Sequence, residues 1–107
     1  MRKQVRQTEP EVDLSHIRNW ELLEFTIPDA TFPDEVRREA WLQKQEEVSK
    51  AFTGRHIRWW DGRVTTITLA DITGLDGVHY EAELYCDETR TSLTTEFMKQ
   101  GIGTVID

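Results

Sequence analysis

One short stretch of the 107-residue chain concentrates arginine and tryptophan, Arg55-His-Ile-Arg-Trp-Trp-Asp-Gly-Arg63. Tryptophan and arginine dominate binding energy at protein interfaces, and arginine beside tryptophan can also stack on bases or hold a phosphate. Neighbouring residues of a strand point to opposite faces. We therefore expect one of Trp59 and Trp60 in the core, and the other exposed, covered by a helix or covered by a partner. The predicted partner-binding residues are Trp59, Trp60, Arg58, Arg55, Arg63 and Trp41.

Acidic residues in the second half of the chain suggest a different chemistry. Acids at alternate positions of a strand stand about 6.6–7 Å apart, similar to the spacing of phosphates along a nucleic-acid strand. An acidic inhibitor that mimics nucleic acid and blocks a DNA- or RNA-binding effector, of the anti-restriction or anti-CRISPR type, is therefore one alternative. A solvated surface that keeps the protein soluble is the simpler interpretation. This acidic face would consist of Asp76, Glu81, Glu83, Asp87 and Glu88.

Residues that could catalyse a reaction or hold a metal do not converge in the sequence. His16, His56 and His79 fall in three different predicted elements, and none belongs to a close pair of metal-ligand spacing. Glu81 and Glu83 share the predicted strand face of His79, where a solvated patch is the default expectation. No nucleophile elbow or glycine-rich phosphate loop is present. The sequence thus predicts a non-enzyme with no cofactor and no metal site.

The composition excludes further function classes. Twenty Asp plus Glu against thirteen Lys plus Arg give a net charge of −7, whereas a general nucleic-acid binder needs cations to neutralise phosphates. An apolar fraction of 37% with four tryptophans is too high for a disordered chain. No apolar run approaches the ~20 residues of a membrane span, and none follows the basic start as in a secretion signal. The single cysteine, Cys86, favours a reducing, cytoplasmic setting.

The elements that must position these residues follow from hydrophobic periodicity. Residues 1–13 are polar and form a predicted arm, basic over residues 1–7, and residues 14–107 form a single predicted α+β domain. Its main helix is predicted over 32–52, with acids in the first turn and Gly54 after the end. The apolar positions at helical spacing are Val36, Ala40, Trp41, Val48, Ala51 and Phe52.

Strand signals fill the remainder, residues 55–107. Asp61-Gly62 marks a tight hairpin, and residues 63–72 are rich in β-branched side chains. From Val78 to Cys86, apolar residues alternate with polar ones. About five short strands with turns every eight to twelve residues predict a five-stranded, SH3- or Sm-like small antiparallel β-barrel after the helix.

The same half of the chain resembles two families of small proteins. Asp61-Gly-Arg followed by Leu69, and Met98-Lys-Gln-Gly101 followed by Thr104-Val-Ile, are similar to the two motifs of Sm-like proteins. A Trp-rich strand with Asp-Gly after a helix resembles the YolD-like bacterial and phage family. The first resemblance implies a barrel, with RNA binding and a homo-oligomer as its associated properties. The second implies a small protein without established chemistry, often linked to phage or to DNA-damage polymerases.

Departures from the Sm-like pattern argue against RNA binding. Ile67 stands where those proteins place glycine in the second strand, Asp76-Gly-Val-His lacks the base-binding Asn, and Gln100 replaces the arginine before glycine. We therefore expect a non-catalytic protein-interaction or regulatory module of bacterial or phage origin, similar to the YolD-like family, with a protein partner. The acidic inhibitor and the Sm-like RNA binder remain as alternatives, with nucleic acid not expected as a general ligand and no membrane association.

Overall fold

One long helix, one short helix and seven strands form the α+β fold of residues 13–107, which are the residues that the computed structural model describes. Apart from Asp13, the predicted arm therefore lies outside the described residues. A short 3-10 helix (Trp20–Leu22) precedes the first strand. The elements that follow are β1 (Glu24–Thr26), α1 (Asp34–Phe52), β2 (His56–Trp59), β3 (Val64–Thr66), β4 (Leu69–Gly74), β5 (His79–Cys86), β6 (Thr91–Thr94), α2 (Thr95–Lys99) and β7 (Gly103–Ile106).

The long helix α1 begins two residues later than the predicted range of 32–52. The carbonyl of Pro33 accepts hydrogen bonds from the N–H groups of Val36 and Arg37, so Pro33 is the boundary residue and cannot itself continue the helix backwards. At the other end, Gly54 takes a left-handed φ of 93°, which a side chain would disfavour. Val48 and Phe52 near the end of α1 are buried, so this end anchors the helix on the core.

The strands form two antiparallel sheets. In the four-stranded sheet, β5 pairs with β4, with β1 at its start and with β6 at its end. In the three-stranded sheet, β2 lies between β3 and β7. The segment between β3 and β4 joins the sheets: Ile67 N–H donates to the Arg55 carbonyl at 2.8 Å, and Thr68 N–H donates to the Tyr85 carbonyl at 2.9 Å. The chain therefore turns from one sheet into the other at residues 67–68.

The core lies where the inner faces of the sheets and the end of α1 meet. Its fully buried side chains include Leu23, Val48, Phe52, Ile57, Ile67, Ala82, Leu84, Cys86 and Leu93. Burial alternates along β2 and along residues 82–86 of β5, as expected for strands with one face on the core. The outer face of the three-stranded sheet is thereby left to exposed residues, which include Arg58 on β2 and Val64 on β3.

The five-stranded closed barrel predicted for residues 55–107 is not confirmed. Residues 13–107 instead form two sheets that do not close into a barrel. Two features make the difference. The bend at residues 67–68 divides one long β-branched run into β3 and β4. The segment Glu24–Thr26, which precedes the helix, adds a strand to the other sheet by pairing with residues 79–81.

Candidate partner-binding surface

The two adjacent tryptophans take opposite roles because Trp59 ends strand β2 on its buried face, whereas Trp60 begins the turn that follows. Trp59 is 6% exposed and Trp60 is 68% exposed. The buried indole of Trp59 donates its Nε1–H to Thr65 Oγ1 at 2.7 Å, and the Thr65 hydroxyl donates to Cys86 Sγ at 3.2 Å. The polar atom of the core tryptophan is thus satisfied inside the protein. The sequence left open which tryptophan is exposed, and the structure assigns Trp60 to the surface.

A tight turn holds Trp60 in place. Gly62 N–H donates to the Trp59 carbonyl at 2.9 Å, and Trp59 N–H donates to the Arg63 carbonyl at 2.8 Å. Gly62 has a φ of 89°, a conformation for which glycine is suited. Asp61 accepts hydrogen bonds from the backbone N–H of Arg63 at 3.1 Å and from its Nε at 2.7 Å. The backbone bond is the main cause that lowers the pKa of Asp61, so this carboxylate is ionised beside Arg63.

The ring of Trp60 is the ridge between two grooves. The Arg63 guanidinium lies 5.8 Å from the ring centroid, within range of a cation–π contact. Trp59 stands edge-on at 6.5 Å and 87°. The first groove, about 370 Å³, is lined by Leu14, His16, Arg58, Trp59, Trp60, Met98, Gly101, Gly103 and Thr104. The second, about 300 Å³, is lined by Trp59, Trp60, Arg63, Thr89, Thr91, Ser92, Phe97 and Ile102.

Arg58 lies on the same outer face as Trp60, two residues away along the chain. Its cross-strand neighbours are Val64 on β3 and Thr104 on β7, and Val64 is itself exposed. No residue among 13–107 gives the Arg58 side chain a hydrogen bond or an ion pair. Arg58, Trp60 and Arg63, together with the two grooves, are named the Trp60 surface below.

Two other residues predicted for partner binding lie elsewhere. Arg55 is only 7% exposed; its Nη1 donates to the Arg18 carbonyl at 2.8 Å and its guanidinium lies over the Phe52 ring. Desolvation by burial lowers its pKa. Arg55 therefore ties the end of α1 to the segment before β1 and is not presented to a partner. Trp41 is half-buried on α1 and packs against the core.

The five acids predicted to form one face are mostly engaged in local structure. Glu81 is 6% exposed, sits opposite Glu24 in the sheet and accepts from Glu96 N–H at 3.4 Å, so it does not belong to a solvated face. Asp76 accepts from the N–H groups of His79 and Val78, bonds that lower its pKa to about 2.

The remaining acids lie at the other end of β5. Glu88 accepts from Thr66 N–H at 2.8 Å, and Glu83 accepts from the Ser92 hydroxyl at 3.3 Å. Asp87 is exposed in the turn after β5. Because Asp76 lies in the turn before β5 and Asp87 and Glu88 lie in the turn after it, the acids are split between two ends of the strand.

The residues considered for catalysis stay apart. His79 Nδ1 lies 2.7 Å from Asp76 Oδ2 rather than against the glutamates of its strand, and His56 Nδ1 lies 2.9 Å from the Asp107 carbonyl. Within residues 13–107, no group of three or more His, Cys, Asp or Glu side chains is arranged to hold a metal ion. Among those residues there is also no helix with the length and apolar character of a membrane span.

The structure adds residues that sequence reasoning missed. Phe97 and Ile102 reach the second groove from α2 and from the turn before β7. Thr89 reaches it from the turn between β5 and β6, and Thr91 and Ser92 reach it from β6. One signal was present for α2: Thr94 is a helix N-cap residue type, and its hydroxyl accepts from Phe97 N–H at 3.3 Å. No sequence pattern indicates that these segments come together at Trp60.

A second exposed tryptophan provides a comparison. Trp20 lines a groove of about 440 Å³ with Leu14, Leu23, Thr95 and an ion pair between Lys99 and Glu24. Among residues 13–107, no arginine or lysine stacks on its ring. Comparison of the whole chain with protein-family models, with curated proteins and with solved structures gave no match.

Proposed function

We propose that this protein is a non-catalytic interaction module that binds a protein partner through the Trp60 surface. The observation that carries the proposal is the 68% exposure of Trp60 on a ridge with a groove on each side and Arg58 and Arg63 next to it. Exposing a large indole to water is unfavourable, and tryptophan and arginine in a pocketed surface are the usual anchors of protein interfaces. Because Trp59 is the tryptophan that packs in the core, the fold itself does not require a tryptophan at position 60.

We further propose that β2 to β7 follow the strand order of a five-stranded SH3- or Sm-type fold that is opened into two sheets, with β3 and β4 as one bent strand. The hydrogen bonds of residues 67–68 to both sheets and the pairing of β7 with β2 support this correspondence. Likeness to the YolD-like family, a bacterial or phage origin and a cytoplasmic setting belong to the same proposal. The buried free thiol of Cys86 is compatible with a reducing compartment.

A nucleic-acid mimic is supported less well. Mimicry requires regularly spaced, solvated carboxylates, whereas Glu81 is buried and Asp76, Glu83 and Glu88 are bonded to neighbouring groups. RNA binding in the Sm manner is supported less well for a different reason. The Trp60 surface offers only two arginines, one of them paired with Asp61, on a chain of net charge −7.

Affinity capture with a pair of matched variants tests the proposed function. Trp60→Ala removes the exposed indole of the Trp60 surface, and Trp20→Ala removes the other exposed indole as the control. Both variants should still fold, since each indole is more than half exposed. We expect the captured protein partner to be lost with Trp60→Ala and retained with Trp20→Ala. If Trp60→Ala retains every partner, the proposed interface is wrong; if nucleic acid is what is retained, the interaction class is wrong.

A further inference from the structure

We infer that the partner segment held by the Trp60 surface is an extended, acidic peptide, one of whose carboxylates pairs with Arg58. This inference rests on the proposed function and specifies its ligand. Arg58 projects from the middle of the three-stranded sheet, between Val64 and Thr104. Its side chain has no ion-pair or hydrogen-bond partner among residues 13–107. An unpaired guanidinium next to an exposed indole can receive a carboxylate bidentately while the indole packs on an apolar side chain.

The position of Arg58 differs from that of the other arginine nearby. Arg63 already gives its Nε to Asp61 at 2.7 Å and its guanidinium to the Trp60 ring. A ligand carboxylate that binds Arg63 would have to displace Asp61 or share the Arg63 guanidinium with it. Arg58 is therefore the cation of this surface that is left to the partner, and it lines the first groove together with His16. A ligand lying in that groove would pass next to both residues.

The edge of the sheet favours an extended segment. On the side of β7 away from β2, no strand within residues 13–107 pairs with it. Gly103 and Thr104 of β7 line the first groove, together with Gly101, Leu14 and His16. An extended peptide entering this groove could donate and accept main-chain hydrogen bonds at the strand edge, with alternate side chains directed to Arg58 and Trp60.

Charge number favours a peptide over a nucleic acid. A bound nucleic-acid strand places a phosphate at every nucleotide and needs several cations to offset them. The Trp60 surface offers one unpaired arginine and one shared arginine, on a protein whose net charge is −7. A short peptide segment with one or two carboxylates matches this number of cationic side chains. The same balance disfavours a long polyanionic tail.

Peptide binding with charge reversal tests the inference. The probes are fluorescein-labelled peptides of equal length, about 12 residues, and equal apolar content that carry only Asp and Glu, only Asn and Gln, or only Lys and Arg as polar residues. We expect the acidic peptide to bind best, about tenfold more weakly to Arg58→Gln, and less tightly as salt is raised. Arg58→Glu should invert the preference toward the basic peptide. Arg38→Glu on the exposed part of α1 makes the same charge change elsewhere, and it should leave the preference as it is.

The outcomes separate this inference from the proposed function. Suppose that Trp60→Ala abolishes capture of the protein partner but Arg58→Glu leaves the peptide preference unchanged. The inference of an acidic peptide ligand is then wrong, while the proposed interface at Trp60 is retained. If Arg38→Glu changes the preference as much as Arg58→Glu, the effect is net charge and the inference fails. Tighter binding of a labelled DNA strand of about 20 nucleotides than of the acidic peptide overturns it. Self-association through Trp60, measured by sedimentation without any probe, would identify a second copy as the occupant and also overturns it.

Discussion

The hydrogen bond between the two buried groups Trp59 and Thr65 gives the sharpest test of how this fold separates its tryptophans. Replacing Thr65 by Val exchanges the hydroxyl for a methyl group of similar volume, so no cavity forms. The Trp59 Nε1–H, 2.7 Å from Thr65 Oγ1 in the parent protein, then has no acceptor in an environment that excludes water. The variant thus isolates one unsatisfied donor.

The expected cost follows from that orphaned donor. A buried polar group left without its partner costs about 1–3 kcal/mol, and both residues here are 6% exposed, so we expect about 2 kcal/mol. The second bond of Thr65, to Cys86 Sγ at 3.2 Å, adds little because sulfur is a weak acceptor. Against a total stability of about 5–15 kcal/mol this is a large loss. It should lower Tm by roughly 8 °C or more.

Urea unfolding followed by far-ultraviolet circular dichroism measures the effect without relying on tryptophan emission. Thr66→Val is the matched control, because the side chain of Thr66 makes no hydrogen bond with residues 13–107; it should change stability by no more than about 0.5 kcal/mol. Repeating Thr65→Val in a Trp59→Phe background removes the donor beforehand. The cost should then fall to about 0.5 kcal/mol or less. Equal losses for Thr65→Val and Thr66→Val, or a cost of Thr65→Val that persists in the Trp59→Phe background, would show that the orphaned donor is not the cause.

Two further predictions concern the turn before β5 and the edge strand β7. Hydrogen bonds, the largest from His79 N–H, lower the pKa of Asp76 from 3.8 to about 2. Its ionised form therefore stabilises the fold above pH 3.8, and this contribution is lost as pH falls through about 2. The difference in Tm between the parent protein and Asp76→Ala should be largest at about pH 7 and should decrease toward about pH 2. A difference that stays constant over that range would contradict the stabilising role of the ionised Asp76. A Cβ on Gly103 would lie 3.2 Å from Ile57 Cγ2, so Gly103→Ala should cost about 1–3 kcal/mol by overpacking. Urea unfolding checks this, with an unchanged midpoint as the contrary result.

Local patterns were sufficient for several parts of this fold. The α+β class, the long helix ending near Phe52 and the Asp61-Gly62 turn all depend on residues close together in sequence. Helical spacing, turn propensity and strand alternation each depend on only a few neighbouring residues, so the sequence alone is sufficient to predict them. The expectation that Trp59 and Trp60 point in opposite directions follows in the same way, because neighbouring residues of an extended segment alternate.

The division of the strands into two sheets could not be predicted with the same information. The bend at residues 67–68 depends on Ile67 N–H reaching the Arg55 carbonyl and Thr68 N–H reaching that of Tyr85, partners 12 and 17 residues away. Likewise, the strand Glu24–Thr26 is defined by pairing with residues 79–81. Short strands gain their stability from such distant pairing, so their number and order depend on how the whole chain packs.

Residue types and their alternation were enough to predict that two adjacent tryptophans beside arginines point to opposite faces, on an acidic chain that lacks motifs for catalysis. Packing between segments then decided that Trp59 is buried and Trp60 is exposed. The buried Trp59 indole donates a hydrogen bond to Thr65 of β3, and the Thr65 hydroxyl donates one to Cys86 of β5. Packing also buried Arg55 and Glu81, which local pattern had assigned to binding surfaces. Burial depends on which distant segments cover a side chain, whereas alternation states only which residues share a face.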